Sequence, residues 1–235
     1  LAVTHGADLL GIDPEVAHQV LAHGVGAILR KNQILGIAAV RVGVTFHRHR
    51  SAREQREPLL YFFHQGCTAR VDDALALGVE YVVCSTIPHS KKHLVLEECD
   101  QAANDFNRWG KILAQSKLRL GYHTHGIEFD TASEGTLFDG IVQRTDPAFV
   151  NFEMDIFWMV FARQNPAKWL QRYPGRFPLM HVKDIRKDTP LGGSPGDVLE
   201  EASVILGQGL VDIPATLQAA QSNGVHHYYI EDEAV

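Results

Sequence analysis

Cysteine, basic charge and long apolar runs are all scarce in this sequence, and each scarcity excludes a class of protein. The 235 residues include three cysteines and no Cys-x-x-Cys pair, so neither a disulfide framework nor a zinc knuckle is indicated, and a cytoplasmic location is predicted. The formal net charge of −6 argues against a nucleic-acid groove. No run approaches the ~20 apolar residues of a membrane span. No signal peptide is visible, although export stays open if a segment precedes residue 1.

Length and apolar content together predict one domain. A single (β/α)₈ barrel takes about 250 residues, and 45% of these 235 residues are hydrophobic, which is enough for a full core. We predict a single barrel domain over residues 1–235. Within it, residues 1–66 are expected to be irregular or atypical, and residues 78–235 to follow the barrel pattern.

Short apolar runs alternate with amphipathic helix patterns along most of the chain, which is typical of a parallel α/β sheet. The predicted strands are 37–46, 80–84, 118–122, 149–154, 179–182 and 227–230. The predicted helices are 95–115, 137–144, 166–173 and 214–222. A long polar segment, 183–209, precedes the last helix, and its length indicates a functional loop.

Four strand ends carry side chains that bind hard metal ions. These side chains are Glu128, Asp155, His181 and Glu231. In a parallel barrel the carboxyl ends of all strands lie on one face, so we expect the four to converge. Three carboxylates and one imidazole suit one divalent ion, with Mn²⁺ preferred and Mg²⁺, Co²⁺ and Zn²⁺ as alternatives.

Two of these ligands have rivals close by in the sequence. Glu153 alternates with Asp155 on the same strand face, and we prefer Asp155 because it lies nearer the end of its strand. Glu233 similarly rivals Glu231. A lone histidine such as His181 is more often a core residue than a ligand, but its position at a strand end favours a ligand.

A metal ion at this point would activate a carbon-bound proton. It polarises a carbonyl and the neighbouring hydroxyl, so the carbon between them loses its proton more readily. Glu128 and Glu231 lie on well-separated strands and are the predicted acid/base pair, one on each side of that carbon. The predicted intermediate is an enediolate stabilised by the ion. The predicted substrate contacts are His123, His125, Trp158 and Lys183; the two histidines could instead orient metal ligands.

Six short motifs occur in an informative order. They are Tyr122-His-Thr-His-Gly-Ile-Glu-Phe129, Met154-Asp-Ile-Phe-Trp158, Tyr173-Pro-Gly-Arg176, His181-Val-Lys-Asp184, Gly207-Gln-Gly209 and Tyr229-Ile-Glu231. In this order the chain from Gly78 onward resembles the sugar phosphate isomerase/epimerase family of xylose isomerase-like TIM barrels. The resemblance implies a (β/α)₈ TIM-type barrel, the same four metal ligands, and an isomerase or epimerase acting on a sugar or keto-sugar. The predicted partner is a small carbohydrate, not a nucleic acid or a membrane, and a homo-oligomer stays open.

The chain departs from that family at two positions, and other functions stay open. Trp158 stands where relatives that epimerise free ketoses carry His, which favours a larger glycoside, and Thr124 replaces the usual Asn. One alternative is a dehydratase or lyase acting on a sugar or an inositol-type substrate. A phosphodiesterase of the endonuclease IV type is opposed by the acidic charge. The last alternative is a non-catalytic, truncated remnant of the barrel.

The strand count predicts an incomplete barrel. Six strands are visible where closure of the resembled fold takes eight. We therefore expect that the first βα units, before the strand at 37–46, and the last helix are missing. We also expect low order before about residue 66 and an exposed apolar flank near the last strand.

Overall fold

Apolar runs buried on both faces form the strands of a parallel sheet. The computed structural model describes residues 41–45, 59–62, 71–89, 92–192 and 202–231, the first two ranges as backbone. Its strands are β1 Arg41–Thr45, β2 Leu59–Phe62, β3 Tyr81–Cys84, β4 Arg119–His123, β5 Val150–Asp155, β6 Leu179–Val182, β7 Asp184–Ile185, β8 Ser203–Val204 and β9 His227–Glu231.

Helices follow most of these strands. They are α1 Val71–Leu77, α2 Leu96–Gln115, α3 Leu137–Arg144, α4 Ile156–Phe161, α5 Pro166–Arg172 and α6 Ile213–Ser222, with a 3₁₀ helix at Ile127–Phe129. Side chains define several starts: Thr136 and Asp139 cap α3 reciprocally, and Asn165 accepts a hydrogen bond from the backbone of α5, which has Pro166 in its first turn. Among the described residues, no helix is both long enough and apolar enough to cross a membrane.

Seven strands form one sheet in the order β1-β9-β6-β5-β4-β3-β2, and every neighbouring pair is parallel. The short strands β7 and β8 pair antiparallel beside it, within the long polar segment. Since the main strands are parallel, their carboxyl ends lie along one edge. The register pairs His123 with Glu153 and Asp155 with His181 at that edge.

The two faces of the sheet bury different side chains. On the outer face Tyr122 and Phe152 pack against the helices, and Phe138 of α3 lies between them, with ring centroids 6.4 and 5.0 Å away. On the inner face a separate apolar cluster consists of Tyr81, Val83, Leu179 and Tyr229. Side chains alternate between the two faces, so each strand contributes to both layers.

All six predicted strands are present, whereas β2 was missed. The ends agree to within one residue for five of them; the predicted ends of 37–46 lie outside the described residues. Leu59-Leu-Tyr-Phe62 follows a basic run, which hid a four-residue apolar strand. The predicted incomplete barrel is confirmed: β1 pairs with β9 and β2 with β3, so among the described strands the parallel sheet is open between β1 and β2.

The predicted exposed flank near the last strand is wrong. Strand β9 is paired on both sides, with β1 and with β6, and Tyr228 on its outer face is buried. The expected low order before residue 66 concerns residues that, apart from β1 and β2, lie outside the described part of the chain. Glu233, the rival of Glu231, also lies outside it. The division of the domain at residues 66 and 78 stays a prediction.

Candidate functional site

Strand alternation brings polar side chains to the inner face at the carboxyl edge of the sheet. Each of the strands β4, β5, β6 and β9 contributes at least one. The residues are His123, Glu153, Asp155, His181 and Glu231, and all five are buried. His123 lies opposite Glu153, and His181 lies opposite Asp155, two residues further along the same strand. Glu231 lies two residues beyond Tyr229, the strand partner of His181, so all five side chains face the same space above the inner apolar cluster.

These side chains form a chain of close polar contacts. His123 Nδ1 lies 2.7 Å from Glu153 Oε2, and Glu153 Oε1 lies 3.5 Å from His181 Nε2. On the other side of the ring, His181 Nδ1 lies 2.9 Å from Glu231 Oε2. The two imidazoles meet edge to face, with centroids 4.7 Å apart. Carboxylates and imidazoles therefore alternate across the site.

One carboxylate oxygen of Asp155 caps a helix, and the other is directed into the site. Oδ1 accepts hydrogen bonds from the backbone amides of Phe157 (2.9 Å) and Trp158 (3.2 Å), which caps α4. Oδ2 is buried, has no hydrogen-bond partner among the described residues and lies 3.6 Å from His123 Nε2. A buried carboxylate oxygen without a donor is costly unless a cation or a ligand completes its shell.

Two overlapping sets of side chains have ligand atoms close enough to hold a divalent ion. Asp155, His181 and Glu231 form one set, and His123, Glu153 and His181 form the other; within each set the ligand atoms lie within 4.8 Å of one another. The first set contains three of the four predicted ligands. Oxygen and imidazole donors, together with the open Asp155 oxygen, fit a hard or borderline divalent metal ion.

The structure does not bring Glu128 into either set. Gly126, with a φ of 95°, turns the chain into the 3₁₀ helix, and Glu128 Oε1 accepts a hydrogen bond from the amide of His125 (3.0 Å). Its charge raises the pKa values of Tyr122 and Cys99, after burial, and the charge of His123 acts on the Glu128 carboxylate in turn. The carboxylate therefore lies near side chains of the layer between sheet and helices and also near the polar network. Burial raises the pKa of Glu128 to about 7.

Burial and the neighbouring charges shift the pKa values of the side chains in this network. Burial alone would lower the pKa of His123, but the neighbouring carboxylates of Asp155 and Glu153 outweigh it and raise the pKa to about 9. The pKa of His181 is also raised well above its usual range, because Glu153 and Glu231 outweigh burial. Burial would raise the pKa of Glu153, but the two imidazoles hold it well below its usual range. Both rings therefore hold protons at neutral pH in the absence of a metal ion.

The predicted substrate contacts border this network. The His125 ring lies 4.5 Å from that of His123 and 6.1 Å from that of Trp158. Burial, followed by the charge of His123, lowers the pKa of His125 to about 3, so this ring is neutral at pH 7. Lys183 is buried, with Nζ 3.9 Å from Glu231 Oε1 and 4.9 Å from the Phe157 ring centroid. The site thus has a cation and a neutral imidazole beside its carboxylates.

Asp184 supports the loop beside the site, a role that the sequence did not reveal. Its two carboxylate oxygens accept hydrogen bonds from the amides of Ile185, Gly207, Gly209 and Val211, at 2.8 to 3.0 Å. A Cβ on Gly209 would collide with the Asp184 carboxylate and the Ile185 carbonyl oxygen. The Gly207-Gln-Gly209 motif is therefore explained by the close approach of its backbone to Asp184.

The Tyr173-Pro-Gly-Arg176 motif also supports the fold. Arg176 donates hydrogen bonds to the Val142 carbonyl (2.9 Å) and the Thr145 hydroxyl (2.8 Å), and its guanidinium lies 4.9 Å from the Phe152 ring centroid. These contacts tie the end of α3 to β5, away from the polar network. The sequence alone did not show whether this motif supports the fold or contributes to the site.

Comparison with known proteins agrees with this architecture. A family model described as a xylose isomerase-like TIM barrel matches residues 35–233. An inosose dehydratase from Clostridium botulinum is 29% identical over 126 residues, which are 48% of this chain and 41% of that protein. The chain thus aligns with less than half the length of this curated relative.

Solved structures show the same fold at low sequence identity. A sugar phosphate isomerase/epimerase from Parabacteroides distasonis has a TM-score of 0.57 at 23% identity, over 72% of this chain and 57% of that chain. The IolI protein, in a crystal structure with a bound zinc atom, has a TM-score of 0.57 at 20% identity, over 71% of this chain and 58% of that chain. These similarities confirm the predicted barrel class; at such identities they show the fold alone.

Proposed function

This chain belongs to the xylose isomerase-like TIM barrel family, and we propose that it is a metal-dependent enzyme that removes a proton beside the carbonyl group of a sugar or inositol-type substrate. The observation that carries the proposal is the convergence of Asp155, His181 and Glu231, with a buried Asp155 oxygen that makes no hydrogen bond to the described residues. These three residues would hold one divalent ion and leave coordination positions for a substrate. When bound, the ion would polarise a carbonyl and its neighbouring hydroxyl.

Glu231 is the residue best placed to take the proton. It ends β9 beside His181 and Lys183, where its carboxylate can accept the proton of the substrate carbon while the electron pair moves to the carbonyl oxygen as an enediolate. The Lys183 ammonium beside it stabilises that developing negative charge. Trp158 and the neutral His125 ring offer an apolar face and a hydrogen-bonding group for the rest of the substrate.

The enediolate has two outcomes, and isomerisation or epimerisation is the first. Return of the proton to the neighbouring carbon or oxygen gives an isomer, and return on the opposite face gives an epimer. Epimerisation needs a second acid/base group across the substrate, and Glu128 stays our candidate for it and for a fourth metal ligand. In either role its carboxylate would have to leave the position where it accepts the His125 amide.

Dehydration is the second outcome, and two observations favour it. Glu128 belongs to neither candidate ligand set, and its Oε1 accepts the His125 amide, so no second carboxylate stands ready on the other side of the substrate. The relative from Clostridium botulinum is named an inosose dehydratase. In this reaction Glu231 takes the proton, the electron pair then expels a hydroxyl from the next carbon, and Lys183 gives that hydroxyl a proton, so that water leaves.

One experiment tests the proposal and separates its outcomes. The metal-loaded chain is incubated in D₂O with keto-sugars and inososes, and ¹H NMR follows loss of the proton beside the carbonyl together with formation of a dehydrated product. We expect exchange in the wild type, and a loss of at least about 10²-fold in Glu231→Gln, the size expected for an acid/base group. Glu134→Gln, at an exposed glutamate, is the matched control. Undiminished exchange in Glu231→Gln would exclude Glu231 as the base.

A further inference from the structure

We propose that Glu153 is a positioning residue that holds the imidazoles of both His123 and His181 and thereby orients the metal ligands. The inference rests on the proposed metal site, and it assigns a separate role to a carboxylate that sequence reasoning considered only as a rival of Asp155. Glu153 lies two residues before Asp155 on the same face of β5, deeper in the inner layer, and it is 0% exposed.

The two oxygens of Glu153 contact two different rings. Oε2 lies 2.7 Å from His123 Nδ1, and Oε1 lies 3.5 Å from His181 Nε2. No other described carboxylate contacts both imidazoles through separate oxygens at these distances. A single carboxylate therefore fixes the orientation of two rings that come from different strands, β4 and β6.

For His181 this contact decides which nitrogen is free to bind a metal ion. Nε2 faces Glu153, whereas Nδ1 faces Glu231, which is another member of the ligand set. An imidazole that binds a metal through one nitrogen carries its proton on the other, and an acceptor there fixes that tautomer. Glu153 Oε1 lies 3.5 Å from Nε2, as a charged contact and not a short hydrogen bond, and it holds the ring so that Nδ1 is directed to the side of Glu231, where the ion would bind.

For His123 the same carboxylate fixes the opposite edge of the ring. Nδ1 faces Glu153, and Nε2 lies 3.6 Å from Asp155 Oδ2, the carboxylate oxygen without a hydrogen-bond partner. The ring is thus held beside a second metal ligand. Through two histidines, Glu153 acts on two of the three residues that would hold the ion, Asp155 and His181.

The competing reading is that Glu153 itself binds an ion, in the set that it forms with His123 and His181. The 2.7 Å contact between Glu153 Oε2 and His123 Nδ1 has the length of a hydrogen bond, which is the contact that a positioning residue makes. The two readings differ in metal stoichiometry. A positioning residue predicts one ion per chain, whereas a ligand role in the second set predicts an ion that is lost with Glu153.

The test titrates the wild-type chain and Glu153→Gln with Co²⁺ and follows binding by calorimetry and by the visible absorption spectrum of the ion. Glutamine keeps the shape of the side chain but offers one acceptor and one donor, so it cannot accept from both rings. We expect one Co²⁺ per chain in both proteins. In the variant the affinity should be about 10- to 100-fold lower, with a shifted spectrum because His181 is oriented differently.

Two further variants keep the test sharp. Asp139→Asn removes another buried carboxylate, which caps α3 and contacts Tyr173 and Arg172 away from the site, so it should lower stability and leave Co²⁺ affinity unchanged. If Glu153→Gln does not fold, Glu153→Asp keeps the charge but shortens the reach to the two rings, and it should show the same loss in milder form.

The outcomes separate this inference from the proposed function. Equal Co²⁺ affinity and an unchanged spectrum in a folded Glu153 variant would overturn the positioning role and leave the metal site intact. Two ions in the wild type and one in the variant would also overturn it, because Glu153 would then be a ligand. A wild type that binds no ion would overturn the proposed metal site itself.

Discussion

The outer and inner faces of the central sheet are built from the same strands but differ in their chemistry. The outer face packs aromatic and aliphatic side chains, such as Tyr122 and Phe152, against the helices. The inner face has a small apolar cluster around Leu179 and Tyr229, and a charged network lies above it. The comparison indicates that the outer face supplies most of the hydrophobic stability and that the inner face has been adapted for chemistry.

Two buried glutamates, Glu153 and Glu128, differ in their surroundings and in their pKa values. Glu153 faces inward between His123 and His181, whereas Glu128 lies near Tyr122 and Cys99. Both are 0% exposed, yet burial raises the pKa of Glu128, while the imidazoles hold that of Glu153 low. The direct contacts of Glu153 with two imidazoles therefore account for the difference between the pKa values of these two buried carboxyl groups.

The largest effect on stability should come from the outer face. Phe138→Ala removes a fully buried ring that packs within 5.0 to 5.5 Å of Phe152, Phe129 and Trp169. We expect a loss of about 3–5 kcal/mol in the free energy of unfolding, because a large cavity remains. Chemical denaturation measures the loss. The folded variant should keep its metal affinity, and a lost metal site in a folded variant would show that the two faces are not independent.

The next effect should come from the inner face through the metal ion. A divalent ion at 100 times its dissociation constant should raise the free energy of unfolding by about 2.7 kcal/mol, because it binds the folded chain alone. Denaturation of the wild type and of His181→Ala, with and without Mn²⁺ or Zn²⁺, measures this gain. The metal ion should hardly raise the free energy of unfolding of His181→Ala, and it should raise that of the Glu134→Gln control as much as that of the wild type. Equal gains in His181→Ala would place the ion elsewhere.

Metal affinity at the inner face should rise with pH, and this effect should be smaller than the previous two. The carboxylates raise the pKa of His123 to about 9 and that of His181 well above its usual range, so a metal ion must displace the proton of His181. At a pH below these pKa values, each displaced proton makes the metal affinity rise by up to about tenfold per pH unit, which is about 1.4 kcal/mol of binding free energy. Titrations at pH 6.5, 7.5 and 8.5 measure it. A dissociation constant that does not change with pH would contradict protonated rings.

The smallest effect is expected at Glu128, which sequence reasoning assigned to the metal. If its carboxylate stays beside the His125 amide, Glu128→Gln should change metal affinity by less than about twofold, because the ion never contacts it. Isothermal titration of this variant and of Glu231→Gln gives the comparison. A large loss of affinity in Glu128→Gln would mean that the side chain turns inward when the ion binds, as the sequence predicted.

Much of the fold could be predicted from the sequence, because buried parallel strands are continuous apolar runs. Leu179–Val182 was located to the residue for this reason, and Tyr81–Cys84 to within one residue. Strand β2 was missed because four apolar residues after a basic run give a weak signal. The pairing of β1 with β9 could not be predicted, since periodicity shows that a strand exists but not which strand lies beside it.

The candidate site could be predicted in part. Asp155, His181 and Glu231 converge as expected, because strand ends in a parallel sheet share one edge. Glu128 follows its strand by five residues, and over that distance a glycine turn and a short helix decide where the side chain points. The roles of Glu153 and Asp184 depend on contacts with residues 23 to 30 positions away, which no local pattern reveals.

The central claim is that Asp155, His181 and Glu231 together hold one divalent metal ion. The most direct test is the metal stoichiometry of the purified, reconstituted chain, measured by mass spectrometry after gel filtration for the wild type, Asp155→Asn and the Glu134→Gln control. We expect about one ion per chain in the wild type and in the control, and almost none in Asp155→Asn. An unchanged metal content in Asp155→Asn would contradict a metal site at these three residues.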